Sequence, residues 1–333
     1  MLNMGKLNLS VAVGNYDRMR PLVDGEVQID GVDPIFMLQD PEEIFFRAFR
    51  HADYDICELS LSSYSVKTAA GTSPYIAVPI FPSRAFRHTS IYVRNDRGID
   101  SPADLKGKRI GVPEYQLTAN VWARLFLEED HGVKASDVTW IRGGYEEAGR
   151  LEKISLKLPD DVRLENAPEN QTISGMLASG EIDALIGPRA PSCFTNGHPN
   201  VKYLYDDPQK AAADWYTRTK LFPIMHLLGV RRALAEQHPW LPGAVAKAFE
   251  KSKAVALAKL NDTSATKVTL PFVEEQLRNA RRLMGNDFWS YGFEPNRHVL
   301  SRFLKRHHEE GLSSRLLQPE ELFHPATLES FKI

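Results

Sequence analysis

Residues 108–122 bring together the types needed to seat an anion beside a proton-bearing group. An apolar run, 110–112, stops at Pro113, and after a turn-like stretch Thr118 opens a helical pattern. Thr is a good N-cap, and a helix start presents free N–H groups and the positive end of a dipole. Glu114 lies between the strand end and that helix start. Desolvation would raise its pKa toward neutrality and suit it to general acid work. An arginine neighbour would oppose this, and a solvated loop glutamate is the simpler alternative.

A second dense segment is Phe81-Pro82-Ser83-Arg84-Ala85-Phe86-Arg87-His88. Guanidinium forks match carboxylates bidentately, so Arg84 and Arg87 are candidate carboxylate ligands. The competing reading is a solvated loop whose phenylalanines fill the core. His88 adjoins the cations and is a candidate acid. Arg189 follows the stiff run Gly187-Pro188 and is a third candidate cation, against a hinge salt bridge. His226 sits in an apolar run, 222–228, where a hydrogen-bonded core histidine is the commoner outcome. Ser62 and Ser63 stand at a helix start and would either donate to ligand oxygens or cap the helix. His307 and His308 lie among charges and read as a solvated helix face.

The elements that must position these residues alternate as in an α/β fold. Strand-like runs at 7–13, 55–59, 76–80 and 89–93 are separated by helical spacing at 41–50 and 60–70. After a capped turn at 101–107 the pattern restarts: strand 109–112, helix 118–130, strand 138–141, helix 172–179, strand 184–186. The remainder reads as mostly helical, with helices at 241–260, 265–284 and 296–310. This predicts a largely parallel sheet and two lobes, one inserted in the other: residues 1–95 and 191–333 form the first, 96–190 the second. Crossovers near 93–101 and 187–194 would leave a central cleft, and ligands in open α/β sheets sit at the C-terminal ends of strands.

The chain has 333 residues, enough for two lobes, with 43% hydrophobic and 25% charged residues and a formal net charge of −2. No global field favours nucleic acid or an anionic membrane. No run has the length of a membrane helix, and the N-terminal run alternates like a strand rather than a secretory signal. Two cysteines, Cys57 and Cys193, are expected as free thiols in the cytoplasm. Zinc-ligand spacing, phosphate loops, dinucleotide fingerprints and nucleophile elbows are absent, so acid–base chemistry without a cofactor, or binding alone, remains.

The motifs Gly14-Asn15-Tyr16-Asp17-Arg18, Leu59-Ser60-Leu61-Ser62-Ser63-Tyr64, Phe81 to His88, Gly111 to Trp122, Ala184 to Phe194, Phe222 to His226, Asn286-Asp287-Phe288-Trp289 and Leu328 to Ile333 run nearly end to end. With them the chain resembles the 4,5-dihydroxyphthalate decarboxylases, relatives of the periplasmic-binding-protein type 2 fold. The resemblance implies a two-lobed α/β fold with a helical C-terminal segment, no organic cofactor, a small aromatic dicarboxylate substrate and a homo-oligomer; catechol oxygens can bind a divalent metal, but no ligand set in the sequence announces one. It implies conversion of 4,5-dihydroxyphthalate to protocatechuate by protonation of a ring carbon and loss of CO2. Chemistry then suggests roles. Arg189 and one of Arg84 or Arg87 would hold the retained carboxylate, aided by the Thr118 helix start. Phe86 would face the leaving one. Glu114 or His88 would deliver the proton, and Tyr16, Ser62 or Ser63, with His226 nearby, would contact the ring substituents. The alternatives are a solute-binding protein for a small carboxylic acid and a same-fold enzyme for another acid.

Overall fold

The structure is a computed structural model that describes residues 5–150, 154 and 157–329. Met1 to Met4 of the N-terminal run and Ser330 to Ile333 of the closing motif lie outside the described residues. In chain order the elements are β1 (Leu7–Val13), α1 (Arg20–Val23), β2 (Val32–Leu38), α2 (Pro41–His51), β3 (Ile56–Ser60), α3 (Leu61–Ala69), β4 (Tyr75–Val78), β5 (Ile91–Arg94), β6 (Arg109–Val112), α4 (Thr118–His131), β7 (Thr139–Arg142), β8 (Arg163–Asn166), α5 (Ile173–Ser179), β9 (Ala184–Ile186), α6 (Ser192–Thr195), β10 (Val201–Tyr203), α7 (Pro208–Thr219), β11 (His226–Arg231), α8 (Arg232–Gln237), α9 (Leu241–Leu260), α10 (Val273–Met284) and α11 (Arg297–Glu309).

The first unit comprises 1–84, 224–301 and 317–333. Its five-stranded sheet runs β2-β1-β3-β11-β4, parallel across β2-β1-β3 and antiparallel on both sides of β11. Every residue of β3, Ile-Cys-Glu-Leu-Ser, is buried, so the strand reads as a continuous run and not as an alternation. Asp40 caps α2 by accepting from the Glu42 N–H, and Ala52 ends the helix in the left-handed region.

The second unit comprises 85–223 and 302–316. Its six-stranded sheet runs β10-β5-β9-β6-β7-β8, parallel from β9 to β8 and antiparallel from β10 to β9. Tyr92, Ile141, Ile173, Met176, Leu177, Ile182 and Leu185 form one of its buried clusters, each worth roughly 1.5–3 kcal/mol of transfer free energy. Arg124 on α4 donates to both oxygens of Glu310 at 2.9 and 2.7 Å, and Arg306 adds a bond at 2.8 Å. Burial works to raise the Glu310 pKa, but these guanidiniums outweigh it and hold the carboxyl below its usual range.

Four expectations are corrected. The sheets are mixed rather than largely parallel. The part expected as mostly helical, 191–333, holds two strands, β10 and β11, and alternation did not reveal β11 because it is buried on both faces. The helix expected at 265–284 starts at Val273, since Pro271 disfavours helical backbone in the residue before it. The unit boundaries fall at Arg84/Ala85 and Pro223/Ile224, outside the expected 93–101 and 187–194, because β5 and β10 hydrogen-bond into the second sheet.

Candidate functional site

In the first unit, β1 and β3 end at one edge of the sheet, and antiparallel β11 begins there, with His226 opposite Ser60. Glu58, one turn of pleat inside that edge on β3, is fully buried. Its Oε2 accepts the Gly14 N–H at 3.0 Å. Its Oε1 accepts the Tyr16 hydroxyl at 2.9 Å and Nδ1 of His226 at 2.5 Å. Burial alone would raise the Glu58 pKa. The His226 ring, by charge and by hydrogen bond, with Gly14 and Tyr16, reverses this and holds the carboxyl below its usual range. Burial and the Glu58 charge together push the Tyr16 hydroxyl well above the ordinary phenol range.

The sequence builds this hub locally. Tyr16 follows β1 by only three residues, and its ring folds back over Gly14. A Cβ on Gly14 would stand 2.4 Å from the Tyr16 ring, so only glycine allows the approach. With Nδ1–H donated to the carboxylate, Nε2 of His226 is the nitrogen left to exchange a proton. The His226 side chain is 16% exposed, and Nε2 has no hydrogen-bond partner among the described residues. Phe45 packs edge-on against the ring at 4.8 Å and fixes its plane.

The other candidates of this unit fare differently. Ser62 and Ser63 lie buried in the first turn of α3. Arg84 is buried and donates from Nη1 to the Ser290 carbonyl and Asn296 Oδ1, both at 2.9 Å, bracing the 290–296 segment. Two residues that sequence reasoning passed over matter more. Glu58 had a signal, a charge inside the apolar strand Ile-Cys-Glu-Leu. Arg18, in the motif that supplies Gly14 and Tyr16, lies with its guanidinium 4.2 Å from the Tyr16 ring centroid and 4.4 Å from that of Trp289.

In the second unit, β6, β7 and β9 end at one edge, and β5 begins there. Glu114 follows β6 and is fully buried. Arg150 donates to its Oε1 from Nε at 3.0 Å and Nη2 at 2.5 Å, and Gln116 reaches Oε2 at 3.3 Å. Thr118 is the first helical residue of α4, not its cap: Leu117 holds the cap position without a side-chain bond, and Asn120 ties the turn by donating to the Glu114 carbonyl at 2.8 Å. Arg189 follows β9 and is exposed. Tyr145 donates to its carbonyl, and Glu146 accepts from the Ser192 N–H and hydroxyl at 2.7 and 2.6 Å. A Cβ on Gly187 would meet the Tyr145 ring at 2.4 Å, so this strap also depends on a glycine. Arg87 reaches the Pro188 carbonyl at 3.4 Å, and burial pushes its pKa down to about 10.

His88 is not at a reactive surface. It stacks on Phe126 at 4.3 Å, is buried, and its Nδ1 has no hydrogen-bond partner among the described residues. Burial, with a smaller push from His131, lowers its pKa to about 4, so near neutral pH it carries no spare proton. Phe86 is half-buried against Phe222 at 4.8 Å and edge-on to Tyr216 and Trp215. Among the described residues no group of three or more His, Cys, Asp or Glu is placed to hold a metal ion, and no helix is long and apolar enough to cross a membrane. Cys57 and Cys193 are free thiols.

The comparisons with known proteins agree with this architecture. The NMT1/THI5 like family model matches residues 86–153. The chain is 80% identical over 330 residues, 99% of its own length and 100% of the relative's, to a 4,5-dihydroxyphthalate decarboxylase of Comamonas testosteroni. It is 87% identical over 213 residues, 64% of this chain and 83% of the relative, to a 4,5-dihydroxyphthalate decarboxylase of Pseudomonas putida. Among solved structures it is similar to the periplasmic aliphatic sulphonate binding protein SsuA of Escherichia coli, with a TM-score of 0.56 at 12% identity, covering 97% of this chain and 99% of that one. That likeness speaks for the fold alone.

Proposed function

The chain belongs to the 4,5-dihydroxyphthalate decarboxylase family, and we propose that its Glu58–His226 pair moves the proton on which this decarboxylation turns. The enzyme is a carboxy-lyase of phthalate degradation acting on a small aromatic dicarboxylate. In 4,5-dihydroxyphthalate each carboxyl-bearing carbon is para to a hydroxyl. A proton added to that carbon gives a cation that the para oxygen stabilises. The carbon–carbon bond then breaks, its electrons return to the ring, CO2 leaves, and protocatechuate remains. One proton is consumed in each turnover.

The observation that carries the reading is the buried Glu58 carboxylate with three donors converging on it at a strand-end edge. A carboxylate on Nδ1 fixes the tautomer and orientation of the imidazole, leaving Nε2–H as the acid and Nε2 as the group that recovers a proton from solvent. Tyr16 keeps the carboxylate satisfied while the ring charge changes. The transferring proton therefore passes from His226, not from His88.

On the second unit the proposal gives Glu114 the task of holding Arg150. Arg189, being exposed, attracts the substrate dianion with Arg87, and the first turn of α4 at Thr118 adds its dipole. Phe86 packs with Phe222, Tyr216 and Trp215 into an aromatic cluster that supports this unit. Ser62 and Ser63 shape the α3 turn behind the hub. The reading extends to a cytoplasmic location, which suits the two free thiols, and to a homo-oligomer. The surface favoured for the latter is α10, none of whose residues is buried, with Phe272 exposed beside it.

Incubation of the purified protein with 4,5-dihydroxyphthalate in D2O tests the chemistry. CO2 release with a single deuterium at the vacated ring carbon fits ring protonation. Saturable binding without CO2 would instead favour the solute-binding alternative.

A further inference from the structure

We propose that Arg18 is the seat of the carboxylate that stays on the ring. The guanidinium has five N–H groups. Nε–H and one N–H of Nη2 go to the Pro82 carbonyl, the former at 2.6 Å, and one N–H of Nη1 goes to Asp17 Oδ1 at 3.1 Å. One N–H on each terminal nitrogen is left without an acceptor among the described residues. That is the pair a carboxylate bridges in a bidentate fork.

The group is held ready for it. Its Cζ lies over the Tyr16 and Trp289 rings, at 4.2 and 4.4 Å from their centroids, and its side chain is 15% exposed. The two rings hold the cation by cation–π attraction, and poor solvation strengthens an ion pair formed through its remaining N–H groups. Trp289 is fixed in turn: its Nε1 donates to the Phe81 carbonyl at 3.1 Å, and buried Lys253 donates to its carbonyl at 3.2 Å and to Asp287 at 3.3 Å. Ser252 holds the Arg18 carbonyl at 2.7 Å. Two motifs far apart in sequence, Gly14 to Arg18 and Asn286 to Trp289, thus meet on one cation.

Tyr16 makes the spacing specific. Its ring lies against Arg18, and its hydroxyl bonds Glu58, which carries His226. The anchor and the proton donor are therefore separated by about one phenol ring. In an ortho-diacid the carbon that takes the proton is the neighbour of the carbon that bears the retained carboxylate, so the two functions must lie this close. A cation gripping the leaving carboxylate would stabilise the ground state and slow the reaction, whereas a grip on the retained one costs nothing in the transition state. The assignment rests on the Glu58–His226 reading for its geometry, but its test reads the relative affinity of two inhibitors and not the rate of decarboxylation.

The test compares two competitive inhibitors of Arg18→Met and of the parent enzyme. Protocatechuate keeps the carboxylate in question, and catechol lacks it. The expected result is a rise of about tenfold or more in the inhibition constant of protocatechuate, with that of catechol within about twofold. An unchanged constant for protocatechuate, or an equal rise for both, overturns the assignment. Should Arg18→Met not fold, Arg18→Gln is read by the same two inhibitors and the same criteria. His226→Gln separates the two readings, because loss of the proton donor lowers turnover and leaves protocatechuate binding intact.

Discussion

Nδ1 of His226 stands 2.5 Å from Oε1 of Glu58, a carboxylate without solvent exposure in the middle of β3. Burying a carboxylate costs several kcal/mol unless charge and hydrogen bonds offset it. Here three donors do so, and the strand that bears it is central in its sheet. Such an arrangement ties a proton-exchanging ring to the stiffest part of the unit.

Glu58→Gln keeps the shape but presents an amide to a ring nitrogen that expects a carboxylate. Turnover should fall by about 10²–10⁴, and the pH–rate profile should shift, since the charged imidazole loses its partner. Measurement of kcat against pH for the variant and the parent checks this. An unshifted profile would mean that Glu58 acts only as scaffolding.

Gly14→Ala forces the Tyr16 ring off its place, because the new methyl would lie 2.4 Å from that ring. The variant should lose about 1–3 kcal/mol of stability and should be less active than Tyr16→Phe, which removes only the hydroxyl. Urea midpoints and kcat of the two variants give the comparison.

Stability should depend on pH through His88. Its folded pKa of about 4 lies below the unfolded value of about 6.5, so the unfolded state binds the extra proton. Its contribution is complete above pH 6.5 and is lost as the pH falls toward 4, by about 3 kcal/mol in total. Glu58 and Glu310, both depressed, add losses only below about pH 4.3, the unfolded carboxyl value. Urea titrations between pH 4.5 and 7 should therefore show a slope that His88→Leu reduces in part, because buried His307, lowered by burial to about 3 rather than standing on a solvated helix face, contributes over the same window.

Glu310→Leu should cost about 3–5 kcal/mol, since it removes the carboxylate that neutralises the buried Arg124 guanidinium and takes one partner from Arg306. A fall in the urea midpoint with an unchanged slope is the expected signature.

Much of the framework was readable from the chain. Strands β1, β6 and β9 and helix α9 have the bounds that spacing and breakers predict, because alternation at 7–13, Pro113, and Gly187-Pro188 are local signals. Glu114 and Arg189 do follow the ends of β6 and β9, and Arg87 reaches the Pro188 carbonyl beside Arg189. What was not readable depends on long-range pairing. β11 has no alternation to betray it, and Glu58 becomes a hub only when residues 44 and 168 positions away meet it. His88 had the more suggestive neighbours in sequence, yet its stacking on Phe126 withdraws it. Arg84 was a sound cation by type, but Asn296, 212 residues on, claims it.

The most direct measurement is single-turnover CO2 release by His226→Gln, with its far-ultraviolet spectrum and protocatechuate binding compared with the parent. The account predicts a rate at least about 100-fold lower with fold and product binding retained. Release at the parental rate would contradict it and move the proton donor elsewhere.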